Sequence, residues 1–202
     1  MINNKQDYKN YLEWDAWSRG IDLNKFNKRI YHKFFDEVWF FHLLLRKYEY
    51  YRNKKKNIFS YIFYQFIRFR YKKRSIKLGF SIPPNVLGPG CYLPHYGNII
   101  INGNAKIGQN CLIHSGVVIG ANGGSNKAPS IGDNVFIGPG AKIYGNITIA
   151  NNVYIAANSV VNKSITENNT IYGGMPAKFI DNVDLLWWEK NRLKLQKESY
   201  RN

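Results

Sequence analysis

Two histidines, His95 and His114, have the chemistry of a general base in the glycine-rich second part of the sequence. A neutral imidazole, whose unperturbed pKa is about 6.5, accepts a proton near physiological pH and can activate a hydroxyl group as a nucleophile. The other two histidines, His32 and His42, lie in segments with helical spacing, where we interpret them as packing residues. The elements that position His95 and His114 therefore decide what chemistry is available.

A six-residue repeat surrounds these two histidines. Isoleucine or valine recurs at every sixth position in two runs. Neither an α-helix, with about 3.6 residues per turn, nor a strand, with a period of about 2, produces this spacing. A short strand followed by a tight turn does, and three such units close one coil of a β-solenoid. The ten anchors are Ile101, Ile107, Ile113, Ile119, Ile131, Ile137, Ile143, Ile149, Ile155 and Val161.

A stretch without anchors separates the two runs. Residues 120–130 contain three glycines and two asparagines but no isoleucine or valine. Because such residues favour turns and have little to bury, we expect a loop extruded from the solenoid here.

The repeat also slips upstream of Ile101. Leu87, Leu93 and Ile99 keep the spacing of six but are offset by two from the later anchors. This offset predicts an irregular coil around residues 94–100, where His95 lies. Eighteen residues before His114 stands Tyr96, which predicts that the two histidines lie on neighbouring coils.

Residues 1–78 have a different composition from the repeat. They contain one glycine, no proline and 21 of the 32 aromatic residues, together with 19 Lys/Arg against 7 Asp/Glu. Apolar residues recur there at intervals of three and four, which predicts helices over about 5–20, 23–52 and 55–75. The predicted organisation is thus a helical region at 1–78, a solenoid at 79–180 and a final helix within 181–202.

The basic residues of segment 52–74 have three interpretations. The helices could cap the first coil with their charges in solvent, dock on an anionic membrane, or bind nucleic acid through phosphates. We favour the cap, keep peripheral membrane contact as the second interpretation and do not expect nucleic acid as a partner.

Three segments resemble the hexapeptide-repeat acyltransferases, most closely the serine O-acetyltransferase branch. They are Leu93–Asn102, Ala128–Lys142 and Tyr172–Ile180, and the resemblance covers about 79–180. The helical segment Leu43–Tyr51 is also similar to acetyltransferases encoded with surface-polysaccharide genes. The fold that this resemblance implies is a left-handed parallel β-helix, mainly β with added helices.

The resemblance implies a homotrimer that binds acetyl-CoA between neighbouring solenoids and transfers the acetyl group directly. His95 corresponds to the catalytic base, while His114 is either a substrate-binding or carbonyl-polarising group or a structural one. Candidate acceptor-binding residues are Tyr96, Asn98 and Asn122. By motif, acetyl-CoA contacts fall at Ala121, Pro139 and Ala157, and its phosphates could meet Lys163 and Lys178.

The sequence departs from the serine enzymes where they hold the amino acid. Ser81 stands where a carboxylate orients the histidine, Pro94 replaces the acidic residue before it, and Lys127 and Ala128 replace an Arg-His pair. A free amino acid needs partners for both of its charges, whereas a sugar hydroxyl does not. The expected acceptor is therefore a cell-surface saccharide or its precursor, with serine as the alternative.

Two other classes of function compete with acyl transfer. A non-catalytic solenoid would serve trimer assembly alone, and a metal-dependent solenoid enzyme would need histidines gathered on one zinc ion. Two histidines without a third ligand argue against zinc, so no metal is expected. The chain opens without a signal-peptide pattern, which favours a cytoplasmic protein, with membrane contact as described for 52–74.

Overall fold

The computed structural model describes residues 1–54 and 57–183. Its described part begins with helices α1 (Lys5–Ser18), α2 (Phe26–Phe35), α3 (Glu37–Asn53) and α4 (Ile58–Leu78). The second predicted helix is divided at Asp36, whose carboxylate accepts a hydrogen bond from the Trp39 amide and so caps α3. Asn57 forms a capping box with Ser60 at the start of α4.

Short strands follow α4 and wind into a parallel β-helix with three faces. Face 1 has the strand order β1-β2-β5-β8-β11, face 2 has β3-β6-β9, and face 3 has β4-β7-β10-β12-β13. The strands are β1 (Phe80–Ser81), β2 (Ile99–Ile101), β3 (Lys106–Ile107), β4 (Leu112–Ile113), β5 (Val118–Gly120), β6 (Ser130–Ile131), β7 (Phe136–Ile137), β8 (Lys142–Tyr144), β9 (Thr148–Ile149), β10 (Tyr154–Ile155), β11 (Val160–Val161), β12 (Thr170–Gly174) and β13 (Ala177–Asn182).

The anchors predicted from the period of six form the interior of this β-helix. All ten are buried, and the anchors of successive coils pair with one another. Ile101 pairs with Ile119 and Ile131 with Ile149, in each case 18 residues apart along the chain. The prediction of three six-residue units per coil is confirmed.

Both predicted irregularities are present. Ile119 pairs with Ile143, 24 residues away, so six extra residues leave the coil between face 1 and face 2, and positions 122–127 are exposed. Upstream, Leu87 pairs with Ile107, 20 residues away, so two extra residues enter the coil before Ile101. The extruded loop and the irregular coil around His95 are thus where the sequence placed them.

Asparagines supply many of the turns between faces 2 and 3. Asn134, Asn152 and Asn169 have positive φ values of 57°, 61° and 61°, which asparagine tolerates better than most residues. Their side chains form a ladder, since Asn134 Nδ2 donates to Asn152 Oδ1 at 3.0 Å and Asn152 Nδ2 donates to Asn169 Oδ1 at 2.9 Å. The ladder satisfies amides that would otherwise interrupt the stacking of coils.

The helical region closes the first coil, as the cap interpretation proposed. Phe41 of α3 packs against Phe80 of β1 and Tyr71 of α4, with ring centroids 4.9 and 5.5 Å apart. The hydroxyl of Tyr71 donates to the carbonyl oxygen of Ile82. The apolar core therefore runs from the helices into the β-helix without a break.

A buried ionic cluster joins the same two regions. Arg46 of α3 donates to the carboxylates of Asp15 and Glu49 and to the carbonyl oxygens of Leu87 and Gly88, at 2.7 to 3.2 Å. The three charged side chains are at most 1% exposed. The cluster hydrogen-bonds both helices α1 and α3 to the first coil.

The β-helix ends in an antiparallel hairpin of β12 and β13. Strand β13 continues to Asn182, two residues beyond the predicted end of the solenoid at 180. The predicted C-terminal helix falls almost wholly within 184–202, outside the described residues. None of the helices in 1–54 and 57–183 is both long and apolar enough to cross a bilayer.

Candidate active site

The two histidines meet at the edge between faces 3 and 1, which we call the His95 corner. It consists of residues 94–98, 114–116, 138–140 and 156–158, which connect the strands of these faces on successive coils. The ring centroids of His95 and His114 are 6.1 Å apart. The structure therefore brings together the two candidate bases of the solenoid.

The extra residues before Ile101 determine where His95 lies. Leu112 pairs with Tyr92, so His114 stands opposite Pro94 rather than opposite Tyr96 as predicted. The prediction counted a coil of 18 residues, whereas this coil has 20. Gly97 allows the bend with a φ of 130°, a conformation that side-chain-bearing residues rarely adopt. The irregular turn leaves His95 and Tyr96 exposed to solvent.

His114 has a less solvated position than His95. Partial burial, followed by the influence of the His95 ring, lowers the pKa of His114 below its ordinary value of 6.5. Its ring also contacts Phe136, with centroids 5.2 Å apart. His114 is therefore mainly neutral at physiological pH, and one ring nitrogen can donate while the other accepts.

A strip with little side-chain volume continues from His114 along face 3. By continuation of the strand pairing, Gly138, Ala156 and Gly173 follow His114 on successive coils. Beside the strip, the rings of Phe136 and Tyr154 stack with centroids 4.1 Å apart and planes at 5°. The result is a shallow channel with a peptide floor and one aromatic wall, leading from the two histidines toward the terminal hairpin.

Two cations border the His95 corner, and sequence reasoning assigned neither to the site. Lys142 on face 1 donates from Nζ to the carbonyl oxygen of Gly116. Arg19, at the end of α1, donates to the carbonyl oxygen of Leu93 at 3.0 Å and lies 5.1 Å from the ring centre of Tyr92. Arg19 is held by both carboxylate oxygens of Asp36, at 2.8 and 3.1 Å.

Arg19 thus ties the helical region to the turn that carries His95. Its partner Leu93 is 74 residues away and only two positions before His95. No local pattern in the sequence indicates such a contact. A clue was available in the sequence: Arg19 directly follows the predicted helix α1, where arginine commonly contacts carbonyl groups.

The other predicted site residues fall in two groups. Pro139 and Ala157 lie at the His95 corner, next to Gly138 and Ala156, and are exposed, as are Tyr96 and Asn98. Ala121, Asn122 and Lys163 follow strands of face 1 and therefore lie at the next edge, between faces 1 and 2, where Asn122 is beside Gly145. Lys178 pairs with Gly173 in the terminal hairpin, at the far end of the strip.

Carboxylates contact two of the histidines, but neither contact is at His95. Asp36 lies 3.7 Å from His32, and Asp15 lies 3.7 Å from the buried His42. In the described part of the chain, no three His, Cys, Asp or Glu side chains gather as metal ligands. What the geometry offers is a pair of histidines, nearby cations and an open channel.

Comparison with known proteins relates this geometry to a family. Residues 128–163 match the bacterial transferase hexapeptide (six repeats) family. No curated protein matches the chain.

Solved structures of serine acetyltransferases share the fold. The enzyme from Brucella abortus is 26% identical, with a TM-score of 0.69 over 88% of this chain and 70% of that chain. The same enzyme in complex with coenzyme A is 25% identical, with a TM-score of 0.71 over 89% of this chain and 70% of that chain. Soybean serine acetyltransferase complexed with serine is 22% identical, with a TM-score of 0.67 over 86% of this chain and 69% of that chain.

At 22% identity, the soybean enzyme supports the fold alone. The repeat match and the Brucella structures together identify the chain as a hexapeptide-repeat acyltransferase.

Proposed function

We propose that the protein is an acetyl-CoA-dependent O-acetyltransferase on a left-handed parallel β-helix, with His95 as the general base. The observation that carries this proposal is the placement of His95 over His114 at the head of the side-chain-poor strip. An alcohol is a weak nucleophile at neutral pH, so a base must accept its proton during attack. His95 is the more exposed of the two histidines and lies where an acceptor from solvent can reach it.

The proposed reaction is a direct transfer. His95 removes the hydroxyl proton while the acceptor oxygen bonds to the thioester carbonyl carbon. The carbon–sulfur bond then breaks, and the proton passes from the imidazolium to the departing thiolate. His114, which is mainly neutral, can donate a hydrogen bond to the carbonyl oxygen as negative charge develops there, or bind the acceptor hydroxyl.

The strip beyond His114 fits the extended arm of acetyl-CoA. Side chains longer than a methyl group are absent at Gly138, Ala156 and Gly173, so an arm can lie against peptide groups there. Three coil steps separate His114 from Gly173, a length of about 14 Å at the usual strand spacing. Lys178, opposite Gly173, is placed to meet a phosphate group at the far end.

A homotrimer accounts for the predicted residues at the other edge. Ala121, Asn122 and Lys163 are separated from His95 by the width of face 1, so a neighbouring chain would have to bring them to the same ligand. The outer surface of face 2 is polar, with Lys106, Ser130 and Thr148 exposed.

Faces 1 and 3, by contrast, carry apolar outer residues, including Ile100 and Val118 on face 1 and Leu112 on face 3. Apolar outer faces on both sides of the His95 corner suit contacts between subunits.

The acceptor has two candidates, supported by different observations. The comparisons favour serine over a saccharide, because the similar solved structures are serine acetyltransferases, one of them with serine bound. The composition of the solenoid favours a saccharide, because residues 79–132 contain no Asp or Glu to pair with the ammonium group of an amino acid. We propose a surface saccharide or its precursor as the acceptor and serine as the alternative.

Exposed side chains at the His95 corner suit a neutral, hydroxyl-rich acceptor. Tyr96 is 71% exposed and offers a ring face and a hydroxyl, and the exposed Asn98 can both donate and accept hydrogen bonds. The two cations of the corner already have acceptors, because Lys142 bonds to Gly116 and Arg19 to Asp36 and Leu93.

Acceptor competition decides between the two candidates. The full-length protein is given acetyl-CoA with serine, and separately with fragments of surface glycans, while release of the coenzyme A thiol is followed. Saccharide-dependent release with serine at the background rate supports the proposal. Rapid turnover on serine alone assigns the alternative, and thiol release that no acceptor accelerates contradicts acetyl transfer. A His95→Ala variant measured in parallel excludes release by a contaminant.

A further inference from the structure

Helix α4 carries a continuous apolar stripe on its outer side. Its members recur at intervals of three, four, three and seven residues, which places them along one line on a helix. They are Phe59, Ile62, Phe66, Phe69 and Ile76, and they are 79, 61, 51, 57 and 72% exposed.

The opposite side of α4 accounts for its packing. Ile67, Tyr71, Ser75 and Leu78 are buried, against α3 and the first strand of the β-helix. At 100° per residue, the centre of this buried side lies nearly diametrically across the helix from the stripe. The stripe is therefore not needed for docking the helix onto its own chain, and its large exposed apolar area calls for another explanation.

The charge of α4 has one sign. The helix contains six Lys/Arg and no Asp or Glu. Two of the six, Arg74 and Lys77, pair with Glu37 of α3. Arg70 and Lys73 lie over the rings of Phe66 and Phe69, at 5.7 and 4.7 Å from the ring centres. These cations thus border the stripe instead of facing away from it.

Apolar and basic groups on one helix surface match the two layers of an anionic bilayer surface. Phenylalanine and isoleucine enter the boundary between headgroups and acyl chains, while lysine and arginine reach the phosphates with their long side chains. A second copy of α4 would supply an apolar partner but would double the positive charge along the contact, which is unfavourable.

We propose that the stripe and its flanking cations form a peripheral docking surface for anionic lipid. In this arrangement α4 lies in the plane of the membrane surface, and the β-helix points away from it into solvent. The proposal does not depend on acetyl transfer, and it narrows the membrane interpretation of 52–74 to helix α4. Lys55 and Lys56 of that segment are outside the described residues.

Vesicle co-sedimentation of the full chain tests the proposal. Vesicles of phosphatidylcholine alone are compared with vesicles containing phosphatidylglycerol, at low and high salt. The Phe59→Gln/Phe69→Gln variant removes part of the stripe, and Lys72→Gln/Lys73→Gln removes two exposed charges. Lys5→Gln/Lys106→Gln is the matched control, because it removes two exposed charges elsewhere.

Binding that requires phosphatidylglycerol and weakens with salt is expected. At about 1 kcal/mol for each cation near the surface, the Lys72/Lys73 variant should lower the partition coefficient roughly 10- to 30-fold. The stripe variant should abolish most binding, and the control should bind nearly as the wild type does. Equal binding by all variants, or no binding to anionic vesicles, overturns the proposal. So does a stripe variant that instead lowers the oligomeric state in sedimentation velocity, or preferential binding of nucleic acid.

Discussion

Replacement of Arg46 by methionine tests what holds the helical region to the β-helix. The guanidinium of Arg46 bonds to both oxygens of Asp15, to Glu49 and to two carbonyl groups of the first coil. Asp15 also accepts from the amide of Gly90 at 2.8 Å, and Glu49 accepts from the amide of Asn85 at 2.7 Å. Methionine fills a similar volume but cannot donate, so both buried carboxylates lose their cation.

The expected cost follows from burial. Removing one partner of a buried, hydrogen-bonded charge pair typically costs about 3–5 kcal/mol, because the remaining charge stays desolvated. Both carboxylates of this cluster are at most 1% exposed. We therefore expect Arg46→Met to lower the free energy of unfolding by about 3–5 kcal/mol at pH 8.

The pH dependence of the loss identifies its cause. Burial would raise the pKa of Asp15, but Arg46 and His42 outweigh this effect and hold the pKa at about 2. In the wild type, Asp15 therefore contributes stability above its unfolded pKa of about 4 and loses it as the pH falls toward 2. Without Arg46, burial dominates and the folded-state pKa rises above the unfolded value, so the variant loses stability as the pH increases. The difference between the two proteins should be larger at pH 8 than at pH 5.

Urea denaturation of the wild type and Arg46→Met at pH 5 and pH 8 measures the effect. Arg52→Met is the matched control, because Arg52 is exposed on the same helix. Adding Asp15→Asn and Glu49→Gln to the variant should restore much of the stability, because it removes the unpaired charges. A loss below about 1 kcal/mol, or a loss that does not change with pH, would refute the assignment of a buried network.

Two further predictions concern Arg19 and His42. Arg19→Ala should lower kcat about tenfold or more with little change in KM for acetyl-CoA, because it frees the turn that carries His95; Arg19→Lys should restore part of the rate, and an unchanged kcat would exclude a positioning role. Burial lowers the pKa of His42 below 6.5, so the unfolded chain takes up more protons and stability should fall as the pH drops below about 6.5. Urea midpoints between pH 7.5 and 5.5 should flatten in His42→Leu, and equal slopes for the two proteins would contradict a buried neutral histidine.

The β-helix could be predicted from the sequence because its period is local. Each Ile or Val anchor occupies an equivalent position in its six-residue unit, so the spacing alone revealed the coils, the loop at 120–130 and the irregularity before Ile101. The pairing of His114 was misjudged by two residues. The offset of Leu93 located the two extra residues, but counting back by eighteen ignored them.

Contacts between the helical region and the β-helix could not be predicted in the same way. The bonds from Arg19 to Leu93 and from Gly90 to Asp15 join residues 74 and 75 positions apart. Such bonds depend on how α1 and α3 dock on the first coil, and no periodicity records that geometry. The sequence therefore revealed the candidate base, whereas the cation that fixes its turn became visible in the folded chain.

The central claim is that His95 activates the acceptor hydroxyl, and the most direct test measures acetyl transfer by His95→Ala. With acetyl-CoA and the acceptor that the competition assay identifies, kcat/KM should fall by about 10²- to 10⁴-fold, the usual contribution of a general base. The Kd for coenzyme A and the urea midpoint should stay near their wild-type values, since the His95 side chain is exposed. Transfer by His95→Ala at the wild-type rate would contradict the account.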